Sequence, residues 1–242
     1  MRYDYIENPK TKGSGIVCAI PQKGMCPNQC EDCFFQSGRS YLEPLSENLP
    51  NLPPAEATKN RVVRINDGND SNVDREGVME AAERYGMYFY NTAIPDDLRE
   101  FNAPVVLTVN PGKSTDQSAY CIRPTPQNLM FVRFRTNTWN LSLCDKIVEH
   151  YSEEGVPIVL TFMAYFTGVI PRDHEKNYVF RKRTLNSYWA ITTKAWERIM
   201  NRYKYNKWVY SCGKVEGELG TTLCRHCGNC LREYFATMER MR

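Results

Sequence analysis

Short apolar runs alternate with helical or irregular segments along most of this chain, and this alternation constrains its fold more than any other feature. Six runs rich in Val, Ile, Phe and Tyr are typical of β-strands: residues 16–20, 61–66, 87–93, 104–109, 129–136 and 156–162. Helical patterns cover residues 73–85, 141–154 and 184–203. Because strands that alternate with helices pair through right-handed crossovers, the sequence predicts an α/β fold with a parallel sheet.

Polar side chains recur at every second position near the ends of several predicted strands. They are Arg64 and Asn66, Thr108 and Asn110, Arg133, Arg135 and Asn137, and Thr161. Strands of a parallel sheet are usually apolar on both faces, so this alternation favours a barrel with a polar interior, whose arginines would attract an anion. For any single strand, an exposed sheet edge is an equally good interpretation.

Cysteine usage indicates the compartment and the kind of site. The 242-residue chain has ten cysteines and a net charge of +3, which neither requires nor excludes a nucleic-acid partner. The stretch from Met1 to Tyr5 is polar, and no apolar run is long enough to span a membrane. We therefore expect a cytoplasmic protein whose clustered cysteines bind metal.

Three of these cysteines, Cys26, Cys30 and Cys33, follow the first predicted strand with the spacing C-x3-C-x2-C. Thiols this close on one loop cannot all pair as disulfides, whereas thiolates that converge on one metal centre suit the spacing. A four-iron cluster held by three thiolates keeps one iron without a protein ligand, as in metal sites that perform chemistry. A structural zinc loop, which normally has four ligands, is the competing interpretation.

This cysteine spacing after the first of six strands resembles the radical S-adenosylmethionine (radical SAM) superfamily. The resemblance covers residues 16 to about 203 and implies a partial (β/α)6 TIM-like barrel. It implies that Cys26, Cys30 and Cys33 hold a 4Fe–4S cluster whose fourth iron binds S-adenosylmethionine. A reductant such as flavodoxin or ferredoxin would then allow cleavage to a 5′-deoxyadenosyl radical, which removes hydrogen from a substrate. That substrate could be a peptide, a nucleotide or RNA base, or a small anionic metabolite.

The resemblance also implies where the cofactor would lie, with two departures from the family pattern. The family's aromatic residue before the third cysteine is Asp32 here, and Phe34 comes after the cysteine instead. The glycine-rich segment after the second strand is Asp67, Gly68, Asn69 and Asp70. Gly68 could allow a close backbone approach, and either aspartate could accept from the methionine ammonium group. An ordinary turn that caps the next helix explains the same residues.

Further contacts are implied by position along the predicted strands. Asn110, Arg135 and Asn137 correspond to positions where the family contacts the ribose and carboxylate of the cofactor. Arg133 or Arg64 could instead meet an anionic group of the substrate. Cys121, in a loop after the fourth strand, is a candidate hydrogen-atom donor to a substrate radical, although a buried inert thiol is the ordinary interpretation.

A second group of cysteines near the C-terminus predicts another metal site. Its members are Cys212, Cys224, Cys227 and Cys230, with His226 as a possible replacement ligand. Three thiolates at two-residue gaps with a remote fourth favour a second 4Fe–4S cluster over zinc. We therefore divide the chain into a barrel core, 1–203, and a small cysteine-rich metal-cluster extension, 204–242.

Two functions of other classes fit parts of the same sequence. Basic and aromatic residues alternate through 198–214, so a zinc-containing module that binds nucleic acid is one alternative. A solvated helix end explains that stretch as well. An electron-transfer protein with two clusters and no bound S-adenosylmethionine is the other alternative.

Overall fold

Seven parallel strands form one curled sheet with the shape of a half-barrel. This computed structural model describes residues 5–28, 30, 33, 35–36, 40–110, 117–166, 170–182, 187–212 and 223–242. The strands are β1 Ile16–Ala19, β2 Val62–Ile65, β3 Tyr88–Thr92, β4 Val105–Val109, β5 Leu129–Thr136, β6 Ile158–Phe162, β7 Tyr178–Arg181, β8 Tyr188–Ile191 and β9 Val209–Ser211. The helices are α1 Leu45–Asn48, α2 Arg75–Ala82, α3 Leu141–Glu153, α4 Thr193–Arg202, α5 Cys224–Cys227 and α6 Asn229–Arg240.

The strand order is β1-β2-β3-β4-β5-β6-β9, with every neighbouring pair parallel. The predicted α/β architecture with a parallel sheet is therefore confirmed. The predicted count of six strands is wrong, because β9 pairs with β6 as a seventh strand through Ile158 and Val209. A strand of three residues is too short to show a period of two in the sequence.

The segment predicted to be helical over 184–203 is helical only in part of its described residues, 187–203, and residues 184–186 lie outside the described residues. Strand β8 pairs antiparallel with β7, and α4 begins only at Thr193. Tyr188 to Ile191 are aromatic or β-branched residues apart from one alanine, which suits a hairpin better than a helix. Thr192 provides the helix N-cap, because its hydroxyl accepts from the Ala195 amide at 3.2 Å.

Side chains of the sheet alternate between a convex face, covered by helices, and a concave face. On the convex face, one core contains Val63, Tyr90, Leu107, Phe134 and Leu160 together with helical residues of α2, α3 and α4. The concave face is apolar where the strands begin and polar where they end, so any polar site lies at the C-terminal end of the sheet.

Helix α6 covers the apolar part of the concave face. Tyr234 is 4% exposed and packs with Ile16, Phe89, Val106 and Phe131 from four strands. The Arg240 guanidinium donates to the Leu129 carbonyl at 2.8 Å, which holds the end of the helix beneath β5. Residues after 203 thus supply both a strand and a packing helix, while the division into 1–203 and 204–242 stays a prediction.

None of the helices in the described part of the chain is long and apolar enough to cross a membrane.

Candidate functional site

The concave face encloses a cavity of about 330 Å³ at the C-terminal ends of β2 to β6, which we call the outer cavity. Cys26, Cys30 and Cys33 line it from one side. The polar side chains that line it from the strands are Asn66, Asn91, Thr108, Asn110, Arg133, Arg135 and Thr161. The C-terminal ends of parallel strands, where their loops converge, are where α/β proteins build ligand sites.

The three thiols lie close enough to influence one another. Burial raises the pKa of Cys26 to about 11, and Asp70, Cys30 and Cys33 add to that increase. Burial and Cys33 also raise the pKa of Cys30, whereas Arg135 and a hydrogen bond from Asn110 oppose the increase. The Asn110 amide donates to the Cys30 sulfur at 3.5 Å, and Arg135 donates to the Asn110 oxygen at 3.0 Å. A chain of donors from β5 therefore ends on one sulfur of the triad.

Asp70 fastens the cysteine loop to the end of β3. Its carboxylate is 3% exposed and accepts four hydrogen bonds. The donors are Asn28 at 3.0 Å, Thr92 at 2.7 Å and the amides of Asn72 and Ala93 at 2.9 and 2.7 Å. Since a carboxylate has about four acceptor positions, Asp70 is fully used within the protein. It positions the loop and has no lone pair left for a ligand.

The other residues of segment 67–70 also contact neighbouring parts of the chain. Asn69 donates to the Gly24 carbonyl at 2.9 Å, which ties this segment to the residues before Cys26. Asp67 is ion-paired with Arg64 and accepts from the Asn8 amide. Gly68 lies against the Phe35 ring so closely that an added Cβ would overlap it. Asp67, Gly68, Asn69 and Asp70 all line the outer cavity.

Asn137 does not line the outer cavity. Its side-chain amide donates to the Tyr165 hydroxyl at 2.9 Å, and its oxygen accepts from the Trp139 amide at 2.9 Å. It therefore closes the turn between β5 and α3. Asn91, which the sequence analysis missed, lines the outer cavity and accepts from Arg133 at 3.1 Å. Alternation from the buried Phe89 would have identified it.

A second cavity of about 460 Å³, which we call the inner cavity, lies deeper on the concave face. The four cysteines of the C-terminal group, Cys212, Cys224, Cys227 and Cys230, all line it. A hydrogen bond with Cys227, together with burial, raises the pKa of Cys212. Lys10, Asp67, Arg133, Thr161 and Phe162 line both cavities. The two cysteine groups, which are far apart in the sequence, thus face two adjoining cavities.

The donor sets suit iron–sulfur clusters. Three thiols line the outer cavity, with no fourth cysteine or histidine among the described residues that line it, and four thiols line the inner one. The described cysteines are all free of disulfides, so each sulfur is available as a ligand. Among the described residues, however, no three His, Cys, Asp or Glu side chains already converge as they would around a single metal ion. His226 is exposed and receives a hydrogen bond from Arg225 at 3.0 Å.

No protein-family model, no curated protein and no solved structure matches this chain. Its function must therefore be argued from the two cavities and the residues that line them.

Other predicted residues lie elsewhere. Cys121 packs against the convex core, near Arg123 and Lys146, and lines neither cavity. The described part of the basic and aromatic stretch, 198–212, runs from the end of α4 through β9, and Tyr205 between them is 91% exposed beside Lys204. That position is at the end of the sheet where strands begin, opposite the outer cavity. Asp32 and Phe34 lie outside the described residues.

Proposed function

We propose that this chain is a radical S-adenosylmethionine enzyme. The observation that supports this most is that Cys26, Cys30 and Cys33 line one cavity together with polar side chains at the ends of five parallel strands. Cys26, Cys30 and Cys33 would hold a 4Fe–4S cluster, which when reduced would supply the one electron for cleavage of S-adenosylmethionine to methionine and a 5′-deoxyadenosyl radical. The volume of the outer cavity is typical of small-molecule sites.

The chain's own residues would position and hold the ligands of this reaction. Asp70 and Asn69 hold the cysteine loop through Asn28 and Gly24. Asn110 and Arg135 would bind the ribose and the carboxylate of the cofactor, since both line the outer cavity and contact each other. A guanidinium group pairs well with a carboxylate because it offers several donors in a fixed plane.

We further propose a second iron–sulfur cluster, in preference to zinc, at the four C-terminal cysteines. Four thiolates complete the coordination of such a cluster without a substrate ligand, which favours electron relay or structural support. The shared wall between the inner and outer cavities supports a relay, because no separate domain would come between the two groups.

The experiment that tests the main proposal is reductive cleavage of the cofactor. Anaerobically reconstituted protein with dithionite should convert S-adenosylmethionine to 5′-deoxyadenosine, and Cys30→Ala should abolish this. Cys144→Ala is the matched control, because this thiol is buried in the convex core, away from both cavities. Failure of iron-loaded wild type to form 5′-deoxyadenosine, or equal yields from both variants, would contradict the proposal.

A further inference from the structure

Three residues that line the inner cavity each have a buried polar side-chain atom without a hydrogen-bond partner among the described residues. The atoms are Nε of Arg64, the hydroxyl of Tyr41 and Oγ1 of Thr161. Arg64 itself is only 9% exposed. Nearly all buried polar atoms in folded proteins have a partner, so the occurrence of three such atoms in residues around one cavity favours a ligand in that cavity.

The chemistry of these atoms specifies the kind of group. An arginine Nε and a tyrosine hydroxyl are donors here, and a threonine hydroxyl can donate as well. They have no partner within the described residues, although the sulfurs of the C-terminal cysteines line the same cavity. The thiols therefore do not satisfy these donors. All three groups can donate, which fits a ligand atom that only accepts hydrogen bonds.

The charge of the inner cavity favours the same class of ligand. Lys10, Arg64 and Arg133 line it, whereas Asp67 is its single described carboxylate. Asp67 is already ion-paired with Arg64. Arg133 donates to the neutral oxygens of Asn91 and Thr108 at 3.1 and 3.4 Å, and no described carboxylate pairs with it. An anion near Arg133 would meet a cation already held in place by two neutral acceptors.

We propose that the inner cavity binds the oxyanion of the substrate, a carboxylate or a phosphate, through Arg133, Arg64, Tyr41 and Thr161. The assignment of the inner cavity to the substrate rests on the proposed function, whereas the binding of an anion in this cavity does not. Because Arg133 and Thr161 also line the outer cavity, an anion held here would direct the rest of the molecule toward the cysteine triad. The enzyme would then act on an anionic small molecule.

Binding of simple anions to the full, metal-loaded chain tests this proposal. Titration with inorganic phosphate and with malonate, at constant ionic strength, should show saturable binding of at least one anion. The tighter of the two indicates whether the substrate group is a phosphate or a carboxylate. Tyr41→Phe and Thr161→Val each remove one donor while keeping the side-chain shape, and each should weaken binding about fivefold to tenfold. Arg133→Gln should weaken it further, because it removes the charge.

Tyr85→Phe is the matched control for Tyr41→Phe. The Tyr85 hydroxyl donates to the Pro53 carbonyl at 3.0 Å on the convex side, so its loss should leave anion affinity unchanged. Stability without anion should separate the two variants. Tyr85→Phe should lower the melting temperature because a partnered hydrogen bond is lost. Tyr41→Phe should keep or raise it, because a buried hydroxyl without a partner is removed. Bound anion should then raise the melting temperature of Tyr41→Phe less than it raises that of wild type.

Three results would overturn the proposal. One is the absence of saturable binding, or equal affinity in wild type, Tyr41→Phe and Thr161→Val. Another is binding that occurs only in metal-free protein, which would mean that the C-terminal cluster itself fills the cavity. The third is displacement of the anion by S-adenosylmethionine, which would assign the donors to the cofactor. Formation of 5′-deoxyadenosine without added anion is measured separately, so failure of the proposed function is distinguishable from failure of this site.

Discussion

Gly68 is the residue whose size the cysteine loop constrains most. An added Cβ would overlap the Phe35 ring, which is itself only 3% exposed. We expect Gly68→Ala to displace Phe35 and the adjacent Cys33, at a cost of about 1–3 kcal/mol in stability. Iron bound at the triad should fall sharply, which metal analysis of reconstituted protein would measure.

Gly24→Ala is the control for this substitution. Gly24 belongs to the same loop, but nothing lies within 4 Å of its added Cβ. It should therefore bind as much iron as wild type. If Gly68→Ala retained full iron content, or if both variants lost it equally, the close packing of Phe35 would not govern the triad.

Asp70 provides a second test at this scale. Asp70→Ala leaves the buried amide of Ala93 and its fellow donors without an acceptor, so the free energy of unfolding should fall by about 2–4 kcal/mol. Urea unfolding measures this. Asp74→Ala is the control, because the Asp74 side chain is exposed and makes no capping hydrogen bond to α2. Similar losses in both variants would mean that Asp70 is not the residue that holds the loop.

Among the elements, α6 decides whether the C-terminal segment folds together with the barrel. Tyr234 and Phe235 are neighbours on this helix, but Tyr234 is 4% exposed and Phe235 is 50% exposed. We expect Tyr234→Ala to lower the free energy of unfolding by about 3–5 kcal/mol, because it leaves a cavity beneath β3 and β4. Phe235→Ala should cost less than about 1 kcal/mol.

Urea unfolding followed by fluorescence and by far-ultraviolet circular dichroism would compare the two variants. A single transition that shifts only in Tyr234→Ala would join α6 to the core as one cooperative unit. If a separate, earlier transition carried the whole effect, residues 204–242 would be an independent extension, as the sequence predicts.

Elements were predictable from the sequence where each one shows its own pattern. Strand β5 has the predicted bounds, and β2, β4 and α3 agree with prediction within a residue. The eight residues of β5 and the thirteen of α3 are enough to show a clear period of hydrophobicity. The shorter strands have clear Gly and Pro boundaries. The hairpin β7–β8 and strand β9 were missed because their strands depend on partners distant from any local pattern. The β8 residue Tyr188 packs on Phe166, which lines the outer cavity. A wall of the site was thus missed together with the hairpin.

For the candidate site too, the sequence predicted what depends on a single strand and missed what depends on packing between distant elements. Polar alternation predicted Arg64, Asn66, Thr108, Asn110, Arg133, Arg135 and Thr161, and all of them line one of the two cavities. Asn137 satisfied the same alternation, but the strand ends at Thr136 and its side chain turns to Tyr165. The period of a strand predicts direction only while the strand continues. The spacing of the cysteines could not predict that the two groups face adjoining cavities, since this depends on how α5 and α6 pack on the sheet.

For the whole molecule, the proximity of the two cysteine groups is the property that matters most for function. Two four-iron clusters would correspond to about eight irons per chain, and about four should remain in Cys30→Ala or in Cys227→Ala.

Because Arg133 and Thr161 line both cavities, two reduced clusters would lie close enough for their electron spins to interact. The electron paramagnetic resonance spectrum of reduced wild type should therefore be broader than the sum of the two variants' spectra. Cys144→Ala should reproduce the wild-type spectrum, because its thiol lies in the convex core. A wild-type spectrum equal to that sum would mean that the clusters act independently, and zinc without iron would favour the nucleic-acid-binding alternative instead.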